Sequence, residues 1–96
     1  MGRSQAAAKA PLSPLERLRR ARALRSAGRC EDALVLLDAL IEARGHRYRA
    51  EAYLERGRCH RALGDLEAAK NDFALAASLA RSEETAQQAR AALEGL

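Results

Sequence analysis

The 96-residue sequence contains no Trp, one Phe and two Tyr. A row of exposed rings of the kind that stacks unpaired bases is therefore excluded. Val and Ile occur once each, at Val35 and Ile41, and so few β-branched residues argue against strands. Two cysteines, Cys30 and Cys59, do not make a disulfide framework. No apolar run approaches the roughly 20 residues of a membrane-spanning helix. Residues 1–13 have no hydrophobic signal core and are expected to form a flexible N-terminal tail. A chain this short buries a modest core and leaves little room for an enclosed active site. A cytoplasmic protein is the expectation.

What the sequence does hold is Ala, Leu, Arg, Glu and Gln, all good helix formers. Fifteen of its 17 basic residues are Arg. The net charge of +4 is unevenly spread: residues 1–29 sum to +7, residues 30–61 to zero and residues 62–96 to −3. The molecule is electrically polar along its length.

Five helices are expected. Ser13-Pro14-Leu15-Glu16 is a start signal, with Ser13 as cap, Pro14 in the first helical position and Glu16 completing a capping box. That helix runs to about Ala27, where Gly28 stops it. The second starts near Cys30, carries Leu34, Leu37, Leu40 and Ile41 on one face, and ends at Arg44-Gly45. The third covers about Arg47 to Leu63. Gly64-Asp65 breaks the chain before a fourth from Leu66 to about Ala80. Ser82-Glu83-Glu84 begins a fifth, which Gly95 ends.

The pattern repeats with an offset of 36 residues: Gly28 and Gly64, Ala33 and Ala69, Leu37 and Phe73, Leu40 and Ala76, Leu24 and His60. Short connections make successive helices neighbours, and two related helix pairs suggest a stacked repeat. The only Phe lies between two small residues, Ala69 and Ala76, on one helical face. Gly57 is expected opposite it, omitting a side chain where two backbones approach.

These residues resemble the tetratricopeptide repeat (TPR), a helix-turn-helix unit of about 34 residues. Tyr53, Gly57, His60, Gly64, Ala69, Phe73 and Ala76 fall on the positions of its motif. A second repeat at residues 50–82 is thus a good match, departing at Arg56, where the family usually has Leu. A degenerate first repeat at residues 14–49 fits at Ala21, Leu24, Gly28, Ala33, Leu37 and Leu40, but has Arg17 and Arg20 where an aromatic and a Leu are usual. Residues 83–96 look like a C-terminal capping helix. The resemblance implies an all-α fold of antiparallel helix-turn-helix repeats in a short right-handed superhelix. It implies a non-catalytic scaffold for protein–protein interaction, whose first helices line a concave groove. On that register the groove holds Leu15, Leu18, Arg22, Arg25, Leu54, Glu55, Arg58 and Arg61. The repeated pairs Arg22/Arg58 and Arg25/Arg61 would suit an acidic or carboxylate-bearing peptide, or a partner helix.

No catalytic residues, metal site or cofactor is expected. The spacing of Cys30, His46, Cys59 and His60 lacks the short paired ligands of common zinc sites. Both thiols are expected to be buried, His60 packed, and His46 solvated in a loop. Two other functions remain open. The Arg-rich first helix (Arg17, Arg19, Arg20, Arg22, Arg25, Arg29) could track phosphates with little sequence specificity. Nucleic acid is nevertheless not the expected partner. Alternatively, the chain is a homo-oligomeric subunit that assembles through that helix, since two repeats fall short of the three that usually secure an array.

Overall fold

The computed structural model describes residues 11–96, so most of the expected tail lies outside the described residues. The described residues form five helices and no strand: α1 (Pro14–Ser26), α2 (Cys30–Glu42), α3 (Arg49–Ala62), α4 (Leu66–Leu79) and α5 (Glu83–Glu94). The capping box at the start of α1 is formed. Ser13 Oγ accepts from the Glu16 amide at 3.1 Å, and a Glu16 carboxylate oxygen accepts from the Ser13 amide at 2.8 Å. That backbone hydrogen bond is the main reason the Glu16 carboxyl lies below its usual range. Asp65 caps α4 and Ser82 caps α5 in the same side-chain-to-backbone manner.

The turns after α1 and α3 are built alike. Gly28 and Gly64 have φ of 81° and 85°, the left-handed region that L side chains resist. At each, the next residue's amide reaches back five residues: Arg29 to the Leu24 carbonyl, and Asp65 to the His60 carbonyl, both at 2.8 Å. This arrangement satisfies the orphan carbonyls at a helix C-terminus. One turn chemistry is thus used twice, 36 residues apart.

The α2–α3 loop differs from expectation. His46 is not a solvated loop residue. Its Nε2 lies 2.7 Å from the Leu40 carbonyl, and its Nδ1 accepts from the Tyr48 amide at 3.0 Å. Accepting at Nδ1 places the proton on Nε2, which then donates to Leu40. Both ring nitrogens hold backbone, and the loop is stapled. α3 begins at Arg49, two residues after the expected start near Arg47.

Each helix packs on the next. In addition, α1 touches α3 and α3 touches α5, while α2 and α4 do not meet. Odd-numbered helices therefore share one layer, with α3 at its centre. The core has two clusters. The first joins Leu18 and Ala21 of α1, Cys30, Ala33, Leu37, Leu40 and Ile41 of α2, and Ala52 and Cys59 of α3. The second joins Leu54 of α3, Ala69, Phe73 and Ala76 of α4, and Ala89 of α5. Tyr53 packs against both. Burial follows the 36-residue offset: Leu18 and Leu54, Ala33 and Ala69, Leu37 and Phe73, Leu40 and Ala76 are all buried pairs. An all-α, helical-repeat-like fold accounts for that recurrence.

The two helices of the layer differ in cover. Ala52, Glu55 and Cys59 of α3 are buried, whereas Glu16, Arg19 and Ala23, 36 residues earlier on α1, are exposed. Among the described residues nothing covers that side of α1. Of the two departures from the motif, Arg17 is half-buried and Arg20 exposed.

Candidate functional site

The residues expected to line a groove separate into three groups. Leu18 and Leu54 are each about 1% exposed and belong to the two core clusters. They cannot supply apolar contact to a partner, which corrects the expectation. Leu18 lies in the cluster shared with α2 and α3, and Leu54 in the cluster shared with α4 and α5. Leu15 is half-buried.

Glu55 is the centre of the second group. It is 1% exposed, a rare condition for a carboxylate. Three guanidinium groups reach it from two helices. Arg25 Nε donates to Oε1 at 2.6 Å, Arg22 Nε donates to Oε2 at 3.1 Å, and Arg58 Nη1 donates to the same Oε2 at 2.8 Å. Residues 30 and 33 positions away in sequence thus converge on one side chain. Opposite charge and direct hydrogen bonds offset the cost of taking the carboxylate out of water. Three cations against one anion leave a formal +2 on the cluster.

Each of these arginines spends one of its five N–H donors on Glu55. The Arg22 side chain is 44% exposed, those of Arg25 and Arg58 29% and 25%. Their remaining donors have no partner among the described residues. The site is therefore a knot of held guanidiniums with unused N–H groups on the α1–α3 layer.

Arg61 forms the third group alone. Its guanidinium lies over the Phe73 ring, 5.5 Å from the centroid, and makes no ion pair with Glu55. This is a cation–π contact on the ring face. The expected equivalence of Arg25 and Arg61 fails because α3 offers Arg25 a carboxylate, whereas α4 offers Arg61 an aromatic face.

A second charged network was not foreseen. Arg56 donates twice to Asp72, from Nε to Oδ2 and from Nη2 to Oδ1, both at 3.0 Å, and once to Asp38 at 2.9 Å. Asp72 is 3% exposed. The hydrogen bond to Asp72 is the largest of the influences that raise the Arg56 pKa and fix its charge. His60 Nε2 stands 3.7 Å from the same carboxylate. One guanidinium thus joins α2, α3 and α4.

The two thiols are buried, as expected. Burial first, then the neighbouring Cys30, pushes the Cys59 pKa up to about 12. A thiol so held is a poor nucleophile at neutral pH.

Among the described residues, no helix is long and apolar enough to cross a membrane. No protein-family model, curated protein or solved structure matches this chain.

Proposed function

We propose that this protein is a non-catalytic interaction module of the TPR type, with two antiparallel helix pairs and a closing helix in a right-handed stack. Its α1–α3 layer takes an acidic or carboxylate-bearing segment of a partner protein. One observation carries the reading: Glu55 gathers Arg22, Arg25 and Arg58 into a cluster that keeps a surplus of charge and of N–H donors. Guanidiniums already held by a buried anchor lose less freedom when a ligand carboxylate arrives. The recurring burial at a 36-residue offset supports the repeat assignment.

The buried anchor also dictates how the reading is tested. A Glu at position 58 would face the carboxylate of Glu55 and unfold the site for reasons unrelated to binding. Arg22→Ala is cleaner, since Arg58 keeps Oε2 satisfied. A fluorescent peptide of alternating Glu and Leu with a free C-terminus is titrated against the full chain, alongside the same peptide with Lys in place of Glu. The acidic peptide is expected to bind, and Arg22→Ala to weaken it about fivefold or more, with unchanged helicity. Equal affinity for the Glu and Lys peptides, or for the variant and the native chain, would refute the groove.

A further inference from the structure

Cys30 and Cys59 are the only cysteines of the chain, and the fold buries both in one core cluster. Their meeting follows from the register of α2 against α3. Arg49, the first residue of α3, donates to the Ile41 carbonyl near the end of α2 at 2.8 Å. Arg56, further along α3, reaches Asp38, earlier on α2, at 2.9 Å. α3 therefore returns alongside α2. Cys30 stands eleven residues before Ile41, and Cys59 ten after Arg49, so the two lie at nearly the same height on the helix pair. Their side chains are within hydrogen-bonding reach of each other.

The pair is asymmetric. Cys59 has no exposed surface, whereas Cys30 retains 7%. Cys30 opens α2 directly after the Gly28 turn, and Arg29 before it makes no side-chain cap to the helix amides. Arg29 pairs with Asp32 instead. The first turn of α2 is thus held by fewer bonds than that of α1 with its capping box, and a small oxidant reaches Cys30 first. Cys59 lies one turn after Glu55 on the same face of α3. Glu55 and Arg25 are both near enough for their charges to act on its thiol. The two sulfurs therefore sit next to the guanidinium cluster, where α1, α2 and α3 join.

We propose that Cys30 and Cys59 are a reversible redox couple, in which a peroxide-class oxidant closes a disulfide that ties the start of α2 to the last turn of α3. Peroxide passes one oxygen to the Cys30 sulfur, its O–O bond breaks, and water leaves a sulfenic acid behind. The Cys59 sulfur then attacks the Cys30 sulfur. The S–O bond breaks, and the hydroxyl departs with the Cys59 proton as a second water. The two thiols together lose two electrons and two protons, and the peroxide is reduced to water. A dithiol reductant reopens the bond by exchange. Burial keeps the Cys59 proton in place, so the second step is slow at neutral pH and quickens as pH rises. The closed bond holds α3 against the first helix pair whether or not an acidic segment binds there, so the couple stands independently of that reading.

The test is intact-mass analysis of the full native chain after exposure to hydrogen peroxide, with remaining thiols trapped by N-ethylmaleimide in denaturant. The expected product is a monomer lighter by two hydrogens that takes up no maleimide. A digest should show the Cys30 and Cys59 peptides joined, and dithiothreitol should restore the starting mass. The oxidised chain should melt about 5 °C or more above the reduced one, because the closed loop constrains the unfolded state. Two variants, each checked for unchanged helicity, test the order of events. Cys59→Ala should stop at a Cys30 sulfenic acid that dimedone traps, whereas Cys30→Ser should leave Cys59 unoxidised. The proposal is overturned if peroxide leaves both thiols free, carries Cys30 on to sulfinic acid without closing the bond, or joins two chains instead of one. It is equally overturned if the bond forms only in urea, if the oxidised chain melts below the reduced one, or if dimedone labels Cys59 in Cys30→Ser as readily as Cys30 in Cys59→Ala.

Discussion

A Cβ placed on Gly57 would stand 2.6 Å from Cε1 of Phe73 and 2.7 Å from its Cδ1. α3 and α4 approach so closely that a hydrogen atom is the only side chain α3 can present to the ring. Phe73 has no exposed surface and cannot swing aside. Gly57→Ala would gain about 1 kcal/mol of helix propensity and lose about 1–3 kcal/mol to overpacking. We expect a net loss, read as a lower denaturant midpoint with an unchanged slope. Phe73→Leu makes room, so combining it with Gly57→Ala should cost less than the sum of the two single changes. Strict additivity would show that the two side chains do not compete for the same space.

Arg56 and Asp72 test whether the unforeseen ion pair holds α3 and α4 together. Asp72 is almost wholly buried and takes both of its oxygens' hydrogen bonds from Arg56. Arg56→Leu removes the cation and strands the carboxylate, at a cost of about 3 kcal/mol. Adding Asp72→Leu should recover most of that loss, because an apolar pair needs no compensation. A urea-denaturation double-mutant cycle measures the coupling. If Arg56→Leu alone is neutral, Asp72 must reach water or another donor.

The size pattern at Gly57, Ala69, Phe73 and Ala76 was legible because close packing writes itself into residue volume at helical spacing. The turns at Gly28 and Gly64 were legible because backbone conformation restricts them to glycine. Charged positions were less so. Sequence assigns Glu and Arg to solvent by default, and Glu55 departs from that default only because three arginines arrive from two helices. Its burial is a tertiary event with no local mark. Asp72 carried a faint one: an acid directly beside Phe73, next to the buried face of α4, asks for a partner. The assignment of His46 to solvent failed for a related reason, since an imidazole can staple a loop by hydrogen bonds that no spacing rule announces. Leu18 and Leu54 were placed one face out, because a helix packed on two sides has no single apolar stripe to read.

Cys59 predicts alkaline sensitivity. Its pKa rises from an ordinary 9.0 to about 12 in the folded chain, chiefly through burial and then through Cys30. Between those two values the unfolded chain has released the proton and the folded chain still holds it. Fewer protons on the unfolded state make stability fall as pH rises. The contribution is intact below pH 9 and is lost toward pH 12, with a limiting slope of about 1.4 kcal/mol per pH unit. Denaturant midpoints from pH 8 to pH 11 should decline more steeply in the native chain than in Cys59→Ala, whatever the cavity does to the baseline. Parallel curves would mean that water reaches the thiol.

The cluster around Glu55 makes its arginines unequal. Arg25 is the only partner of Oε1, whereas Arg22 and Arg58 share Oε2. Removing Arg25 leaves a buried oxygen without a donor, a loss of about 1–3 kcal/mol. Removing Arg22 leaves Oε2 bonded to Arg58, and the departing side chain is 44% exposed, so the loss should stay below about 1 kcal/mol. Glu55→Leu should be milder than Arg25→Ala, because three partly exposed cations can turn to water while a carboxylate at 1% exposure cannot. The expected order of destabilisation is Arg25→Ala above both Arg22→Ala and Glu55→Leu, measured by thermal and urea unfolding at two salt concentrations. An Arg22→Ala variant as unstable as Arg25→Ala would mean that the carboxylate depends on all three guanidiniums together.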